Sequence, residues 1–234
     1  MSDVLLQAEN VGIRFGGLQA LEALNLTVRD KELCCIIGPN GAGKSTFLNV
    51  LTGTLRPTSG SVRFLGHDIA GLPLHRIARL GIARKFQIPS VFPSLSVEDN
   101  LKVARWGVPS PVRPVGELLE LVALTDRAAT LAGELAHGQK QWLEIGMALA
   151  IEPRLLLLDE PTAGMTPQET LATAEMLLRL KGEFSIVAVE HDIRFVRALN
   201  CETLVLHQGR RLRSGPFHDI ETDEMVRDVY LGRR

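Results

Sequence analysis

The sequence predicts an α/β fold built on a parallel sheet, with a strand-rich first part and a helical insert. Three observations point there. Apolar segments of strand and helix length alternate over most of the 234 residues. A glycine-rich stretch, Gly38-Pro39-Asn40-Gly41-Ala42-Gly43-Lys44-Ser45, joins a strand-like run to a helix-compatible one. Four consecutive leucines at 155–158 run into Asp159-Glu160. A strand buried on both faces delivers polar residues in this way at the C-terminal edge, where open α/β sheets bind ligands.

Each element follows from local chemistry. The β-branched and apolar segments 5–11, 24–28, 33–37 and 62–65 read as strands, broken by Gly16-Gly17, Arg29-Asp30 and Ser59-Gly60. Residues 44–51 are helix-compatible. From 74 to about 131 the pattern turns helical, with helices expected at 74–80, 97–105 and 115–124. The proline-rich stretch 106–114, with Pro109, Pro111 and Pro114, reads as a connector. Strands at 154–158, 185–189 and 203–206 are separated by segments of helical length, so they are expected as neighbours in the parallel sheet. A C-terminal helix is expected over about 218–232.

Composition narrows the possibilities. At 45% apolar and 23% charged residues the chain has ample core, which excludes a disordered tail, a peptide hormone and a coiled coil. Lys plus Arg (26) nearly balances Asp plus Glu (27), so there is no general attraction to nucleic acid or anionic lipid and anion binding must be local. No apolar run approaches the about 18–20 residues needed to span a bilayer. The early Asp3, Glu9 and Arg14 do not resemble a secretory signal, and the chain is expected in the cytosol. Cys34, Cys35 and Cys201 lack metal-ligand spacing and are expected as reduced core thiols, the first two on opposite faces of a strand.

The stretch from Gly38 to Ser45 fits the pattern GxxxxGK followed by Ser or Thr, in its expected strand-to-helix context. Glycines let successive backbone N–H groups turn inward onto phosphate oxygens, the helix N-terminus adds positive potential, and Lys44 supplies a full charge at the β and γ phosphates. Ser45 is then placed to bind Mg²⁺. Downstream, Asp159 can hold the Mg²⁺ of a nucleotide, and Glu160 can accept a proton from an attacking water.

Leu135-Ala136-His137-Gly138-Gln139 lies 21 residues before Asp159, counted from Gly138, and heads a helical run to Ala150. With the Gly38–Ser45 loop and Asp159-Glu160, this order resembles the ATPase subunit of ABC transporters, whose signature LSGGQ opens such a helix. The resemblance covers essentially the whole chain. It implies one ABC ATPase domain over 1–234, with 1–87 and 150–234 forming an α/β core with a β subdomain and 88–149 a helical subdomain carrying the signature. It further implies ATP and Mg²⁺ as cofactors, with Gly38, Pro39, Asn40, Gly41, Ala42, Gly43, Lys44, Ser45 and Thr46 around the phosphates. Phe15 looks like the aromatic that stacks on adenine, Gln87 like the Q-loop glutamine that touches Mg²⁺ or the water, and His191 like the switch histidine at the γ-phosphate.

In such proteins two subunits pair head to tail, so that Ala136, His137, Gly138 and Gln139 of one face the nucleotide of the other. Glu160 would then activate water for in-line attack, with charge neutralised by Lys44, Mg²⁺, His191 and the partner's signature helix. The sequence departs from the pattern in three places. Ala136 replaces the signature serine and removes a hydroxyl donor. His137 replaces the first glycine, and reads either as a cation near phosphate or as a tolerated neutral side chain. Ala163-Gly164-Met165-Thr166 lacks the aspartate common at the D-loop, which leaves coupling there open.

Gly81-Ile82-Ala83-Arg84-Lys85-Phe86-Gln87, Asp99-Asn100-Leu101, the Ala-Gly-Met-Thr-Pro loop and the ending Val229-Tyr230-Leu231-Gly232 are similar to the branched-chain amino acid importer group. Within it, Arg84-Lys85-Phe86-Gln87-Ile88-Pro89 and the run from His137 to Glu144 are similar to the urea importer's ATPase. The resemblance therefore implies uptake of urea or short-chain amides, with branched-chain amino acids as the alternative. It also implies two transmembrane permease subunits, an extracellular or periplasmic solute-binding protein, an identical or paralogous ATPase partner, and a place on the cytoplasmic face of the membrane. Apolar residues within 88–95, notably Val91 and Phe92, are candidates for permease contact or for core packing. An ABC ATPase acting on DNA or ribosomes is disfavoured, because the spacing of 94 residues from Lys44 to Gly138 leaves no room for the long coiled coil of the first or the second ATPase domain of the other. A binding-only regulatory module is disfavoured by the presence of Lys44, Asp159, Glu160 and His191. A simple P-loop kinase would not explain the signature helix.

Overall fold

A computed structural model describes residues 4–85, 90–106, 108 and 113–231. The first half comprises β1 (Val4–Phe15), β2 (Leu18–Arg29), β3 (Leu33–Ile37), α1 (Lys44–Leu51), β4 (Ser59–Phe64), β5 (His67–Asp68), α2 (Leu74–Leu80) and β6 (Ile82–Lys85). Then come α3 (Val97–Ala104), α4 (Val115–Leu121), α5 (His137–Leu149), β7 (Leu155–Asp159), α6 (Pro167–Leu180), β8 (Ser185–Glu190), α7 (Ile193–Leu199), β9 (Glu202–His207), β10 (Arg210–Pro216), α8 (Phe217–Ile220) and α9 (Glu224–Leu231).

A four-stranded antiparallel sheet, ordered β2-β1-β4-β5, faces a six-stranded sheet, ordered β10-β9-β3-β8-β7-β6. In the second sheet β6, β7, β8, β3 and β9 run parallel, and only β10 is antiparallel. Its central strands β3, β7 and β8 are buried at every position because both faces are covered, and they are apolar except at their ends, at Asp159, Ser185 and Glu190. Cys34 and Ile36 of β3, with Leu155 and Leu157 of β7, point into one core shared with α1 and the antiparallel sheet. Cys35 and Ile37, with Leu156 and Leu158, point into the other, shared with α3 to α7. The two neighbouring cysteines thus lie on opposite faces, and all three thiols are free and buried, with Cys201 Sγ 3.5 Å from Cys35 Sγ.

Several expectations are corrected. β9 is not next to β8; β3 lies between them and pairs with both. The strands of the first sheet are longer than their apolar runs, because β1 and β2 carry bulges, with Asn10 and Ala23 at positive φ. The third helix of the 74–131 region stops at Leu121, where Ala123 takes φ 53°. α2 packs against β6 of the core, not on α3 to α5. The C-terminal helix is two helices, because the Asp223 carboxylate accepts from Val226 N at 3.1 Å and starts a new one. Val91 is half-buried against the core while Phe92 is exposed, so only the second is a free apolar side chain. Pro109 and Pro111 lie outside the described residues.

Candidate functional site

The glycine-rich loop links β3 to α1 and is wedged between two other strands. A Cβ at Gly38 would come within 2.4 Å of Leu206 O, and one at Gly43 within 2.6 Å of Leu21 Cδ2. Gly43 also holds φ +99°, a conformation that favours glycine. Ala42 O accepts from Gly209 N at 3.0 Å, which ties the loop to the β9–β10 hairpin. Among the described residues no side chain caps α1, so its first-turn N–H groups, between Gly43 and Phe47, are placed to receive an anion.

Lys44 is buried, with Nζ donating to Gly38 O at 2.7 Å and to Pro39 O at 3.1 Å. Desolvation holds its ammonium below the ordinary 10.5, countered by the negative charges of Glu160, Glu190 and Asp159. Beside it opens a cleft of about 520 Å³, with Phe15, Leu18 and Gln19 on one wall and Asn40, Gly41, Lys44, Ser45, Thr46 and Glu160 on the other. Phe15, at the end of β1, is about half exposed.

Glu160 follows β7 at φ 44°, in the left-handed region that a glutamate rarely adopts. Its N–H donates to Val189 O at 2.9 Å and its carbonyl accepts from Ala163 N at 3.1 Å, so both neighbours hold the turn. Glu160 Oε1 lies 3.5 Å from His191 Nδ1. The Asp159 carboxylate does not line the cleft; its Oδ2 accepts from Arg84 Nη2 at 2.9 Å. Gln87 lies outside the described residues.

The signature residues stand elsewhere. Ala136 is the N-cap of α5, followed by His137, Gly138 and Gln139, and none of the four lines the cleft. Gln139 Oε1 accepts from Ala136 N at 3.1 Å, but alanine has no oxygen to return the bond. Only half of a capping box is formed, which leaves the N–H groups of the first turn open. His137 Nε2 lies 2.9 Å from Ala163 O, in the turn that follows Glu160, so its ring is not aimed at the cleft.

Two supporting residues escaped the sequence reading. Arg84 bridges Asp159 to Asn49, with Nη1 donating to Asn49 Oδ1 at 2.6 Å. Glu190, buried at the end of β8, accepts from Thr162 N and Oγ1 at 2.9 and 2.7 Å and from His191 N at 3.0 Å, fixing the Glu160 turn and the histidine together. Its signal was available: an apolar strand ending in Glu190 one residue before His191 parallels the leucine strand ending in Asp159-Glu160.

Fold and cleft together place the chain among the α/β proteins that grip phosphate on a strand-to-helix loop. The ABC transporter family profile matches residues 21–163. The high-affinity branched-chain amino acid transport ATP-binding protein BraF of Pseudomonas aeruginosa is 37% identical over 99% of both chains, and LivG of Escherichia coli K12 is 35% identical over 99% of both. An ATP-binding cassette of an ABC transporter in its ADP conformation superposes with TM-score 0.86 at 28% identity, over 99% of this chain and 100% of that one. A dimeric cassette in a post-hydrolysis state, bound to ADP and phosphate, superposes with TM-score 0.77 at 25% identity, over 91% and 98%.

The chain belongs to the ABC transporter family, as one of its ATPase subunits, and has the ABC ATPase fold. Its relatives of the LivG and BraF type favour the branched-chain amino acid alternative over urea. Among the described residues no helix is long and apolar enough to cross a membrane.

Proposed function

We propose that this subunit powers import of branched-chain amino acids from the cytoplasmic face of the membrane. It would be held there by two permease subunits, receive solute from an external binding protein, and act as half of a head-to-tail ATPase pair, with an identical or paralogous partner. The observation that carries this reading is the cleft that sets Phe15 opposite the Lys44 loop and Glu160, in a chain whose full length aligns with BraF and LivG.

Adenine stacks on Phe15, and the triphosphate lies along the open N–H groups of the loop from Gly38 to Thr46, its β and γ charges balanced by Lys44. The donor set suits a hard cation: Ser45 and Asp159 offer oxygen, and together with Gln87 they would hold Mg²⁺, which lowers the charge of the phosphates when bound. Water attacks the γ-phosphorus in line, its proton passes to Glu160, and the bond to the β-phosphate oxygen breaks to give ADP and inorganic phosphate. His191, 3.5 Å from Glu160, would contact the γ-phosphoryl oxygens. The first turn of the partner's α5, from Ala136 to Gln139, closes the site with its uncapped N–H groups.

Phosphate release by the purified chain tests the chemistry: Glu160→Gln should retain ATP binding and lose turnover by more than about 100-fold, and Lys44→Ala should lose binding. Equal release by the wild type and Glu160→Gln would refute it. Uptake by vesicles carrying the assembled transporter tests the cargo. Labelled leucine should enter in an ATP-dependent manner. Entry of urea instead would favour the second reading, suggested by the segments Arg84 to Pro89 and His137 to Glu144.

A further inference from the structure

We infer that His137 is a positioning residue, which latches the first turn of the signature helix onto the turn that carries Glu160 of the same chain. The inference rests on the ATPase reading above and deepens it. It starts from an anomaly: a histidine stands where the family signature has glycine, and its ring turns away from the cleft onto a backbone carbonyl.

The contact is built from several sides. His137 Nε2 lies 2.9 Å from Ala163 O. A carbonyl only accepts, so Nε2 carries the hydrogen. The Gln141 amide, one turn further along α5, lies 3.4 Å from the same nitrogen. Its Nε2 is the atom that lies there, so a second polar group of α5 packs against the ring without competing for the carbonyl. Gly164, next to the accepting carbonyl, holds φ +73°, and a Cβ there would approach His137 Nε2 to 3.1 Å. At the following residue of α5, a Cβ on Gly138 would come within 2.5 Å of Glu169 Oε1. Glu169 in turn closes the capping box of Thr166 at the start of α6. The first two residues of the signature helix therefore rest on both ends of the segment 163–169.

That segment follows directly on the Glu160 turn. Ala163 N donates to Glu160 O at 3.1 Å, and Thr162 is fixed by Glu190. The Glu160 turn is thus strung between Glu190 at its base and His137 at its tip. In a head-to-tail pair α5 serves the partner's nucleotide and Glu160 its own, so the latch makes the two sites move together. Glycine at 137 would leave Ala163 O to solvent and the two elements free to shift separately.

Hydrogen exchange on the purified, nucleotide-free chain reads the latch without any need for turnover. His137→Ala should speed exchange of the Ala163 and Met165 amides about 2- to 10-fold, the worth of one neutral hydrogen bond, while amides in the middle of α5 stay unchanged. His137→Gln places an N–H at the same bond count from Cβ and should stay within about 2-fold of wild type. In ATP titrations of phosphate release, His137→Ala should lower kcat and bring the Hill coefficient toward 1 with KM little changed, and His137→Gln should restore both. Equal exchange in wild type and His137→Ala, or His137→Gln behaving like His137→Ala, overturns the inference. Absence of phosphate release from the wild type would instead overturn the ATPase reading, and the exchange rates would still decide whether the latch exists.

Discussion

Lys85→Met should destabilise the protein in a manner that depends steeply on pH. Lys85 ends β6 with its side chain fully buried, and its Nζ lies 3.4 Å from Glu144 Oε2 on the signature helix. Glu144 Oε1 also accepts from Ser90 N at 3.1 Å, so one carboxylate holds both flanks of the segment 86–89 to α5. Burial pushes Glu144 above its ordinary 4.5 and Lys85 below 10.5, each opposed by the other's charge. At an effective dielectric of about 20, a pair at this separation attracts by roughly 5 kcal/mol before desolvation. Without Lys85 the buried carboxylate loses the charge that opposes its desolvation and its pKa rises further, and breaking a buried pair in this way typically costs about 3–5 kcal/mol.

The sign follows from proton counts. In Lys85→Met the raised folded pKa of Glu144 makes the folded state bind more protons than the unfolded state above pH 4.5, so stability falls as pH rises, by at most about 1.4 kcal/mol per unit. Urea unfolding followed by circular dichroism should therefore find the variant about 4 kcal/mol below wild type near pH 7.5 and within about 1 kcal/mol near pH 5. Lys85→Met with Glu144→Gln should recover most of the loss at neutral pH, because glutamine still accepts from Ser90 N and carries no charge to bury. A deficit that stays constant between pH 5 and 7.5, or a double variant no better than the single one, would refute the reasoning.

Ala136→Ser supplies the missing half of the α5 capping box and should raise stability by about 1 kcal/mol in thermal melts, with faster phosphate release. Thr166→Ala removes the cap of α6, whose hydroxyl accepts from Glu169 N at 3.3 Å, and should cost about 1 kcal/mol by the same assay. ATP affinity should decline with alkaline pH below the ordinary lysine range, because phosphate favours the charged form of Lys44 and the free protein holds its pKa below 10.5; fluorescent-nucleotide titration should show no such decline in Lys44→Arg. Arg84→Gln removes the guanidinium that holds Asp159 Oδ2 at 2.9 Å, and should raise the Mg²⁺ concentration needed for half-maximal phosphate release.

What was legible in the sequence was what local chemistry dictates. The glycine-rich loop needs Gly38 and Gly43 because Leu206 O, Ala20 O and Leu21 leave no space for a side chain, and Gly41 because of its positive φ, while a strand covered on both faces is apolar along its middle, as Leu155–Leu158 are. Hidden features are those that only the tertiary arrangement makes favourable. β10 escaped because Arg210, Arg211 and Arg213 give it the composition of a surface loop, although the Gln208-Gly209 pair, both at positive φ, marks a tight hairpin turn. Arg84 and Lys85 look like the solvated end of a strand, yet both side chains turn inward to carboxylates 75 and 59 positions away, and no pattern along the chain announces such pairs. For Glu190 the strand-end position next to His191 was legible, but its bonds to Thr162, 28 positions away, were not.

The residues that matter at the site share one physical trait, which explains why motif and mechanism were easier to read than support. Phosphate-facing groups must lie on consecutive residues, because a strand-to-helix turn is the shortest way to aim several N–H groups at one anion. The groups that hold them, by contrast, can come from any element that reaches the C-terminal edge of the sheet. Here they come from β6 through Arg84, from β8 through Glu190, and from α5 through His137. Each of these contacts a different point on the path from Asp159 to Ala163, so that path is over-determined, as it must be for Glu160 to keep a left-handed conformation that costs about 1–3 kcal/mol to maintain. Removing one support should therefore loosen Glu160 without unfolding the chain, and His137→Ala, which breaks one neutral hydrogen bond, should impair turnover while leaving the melting curve nearly in place.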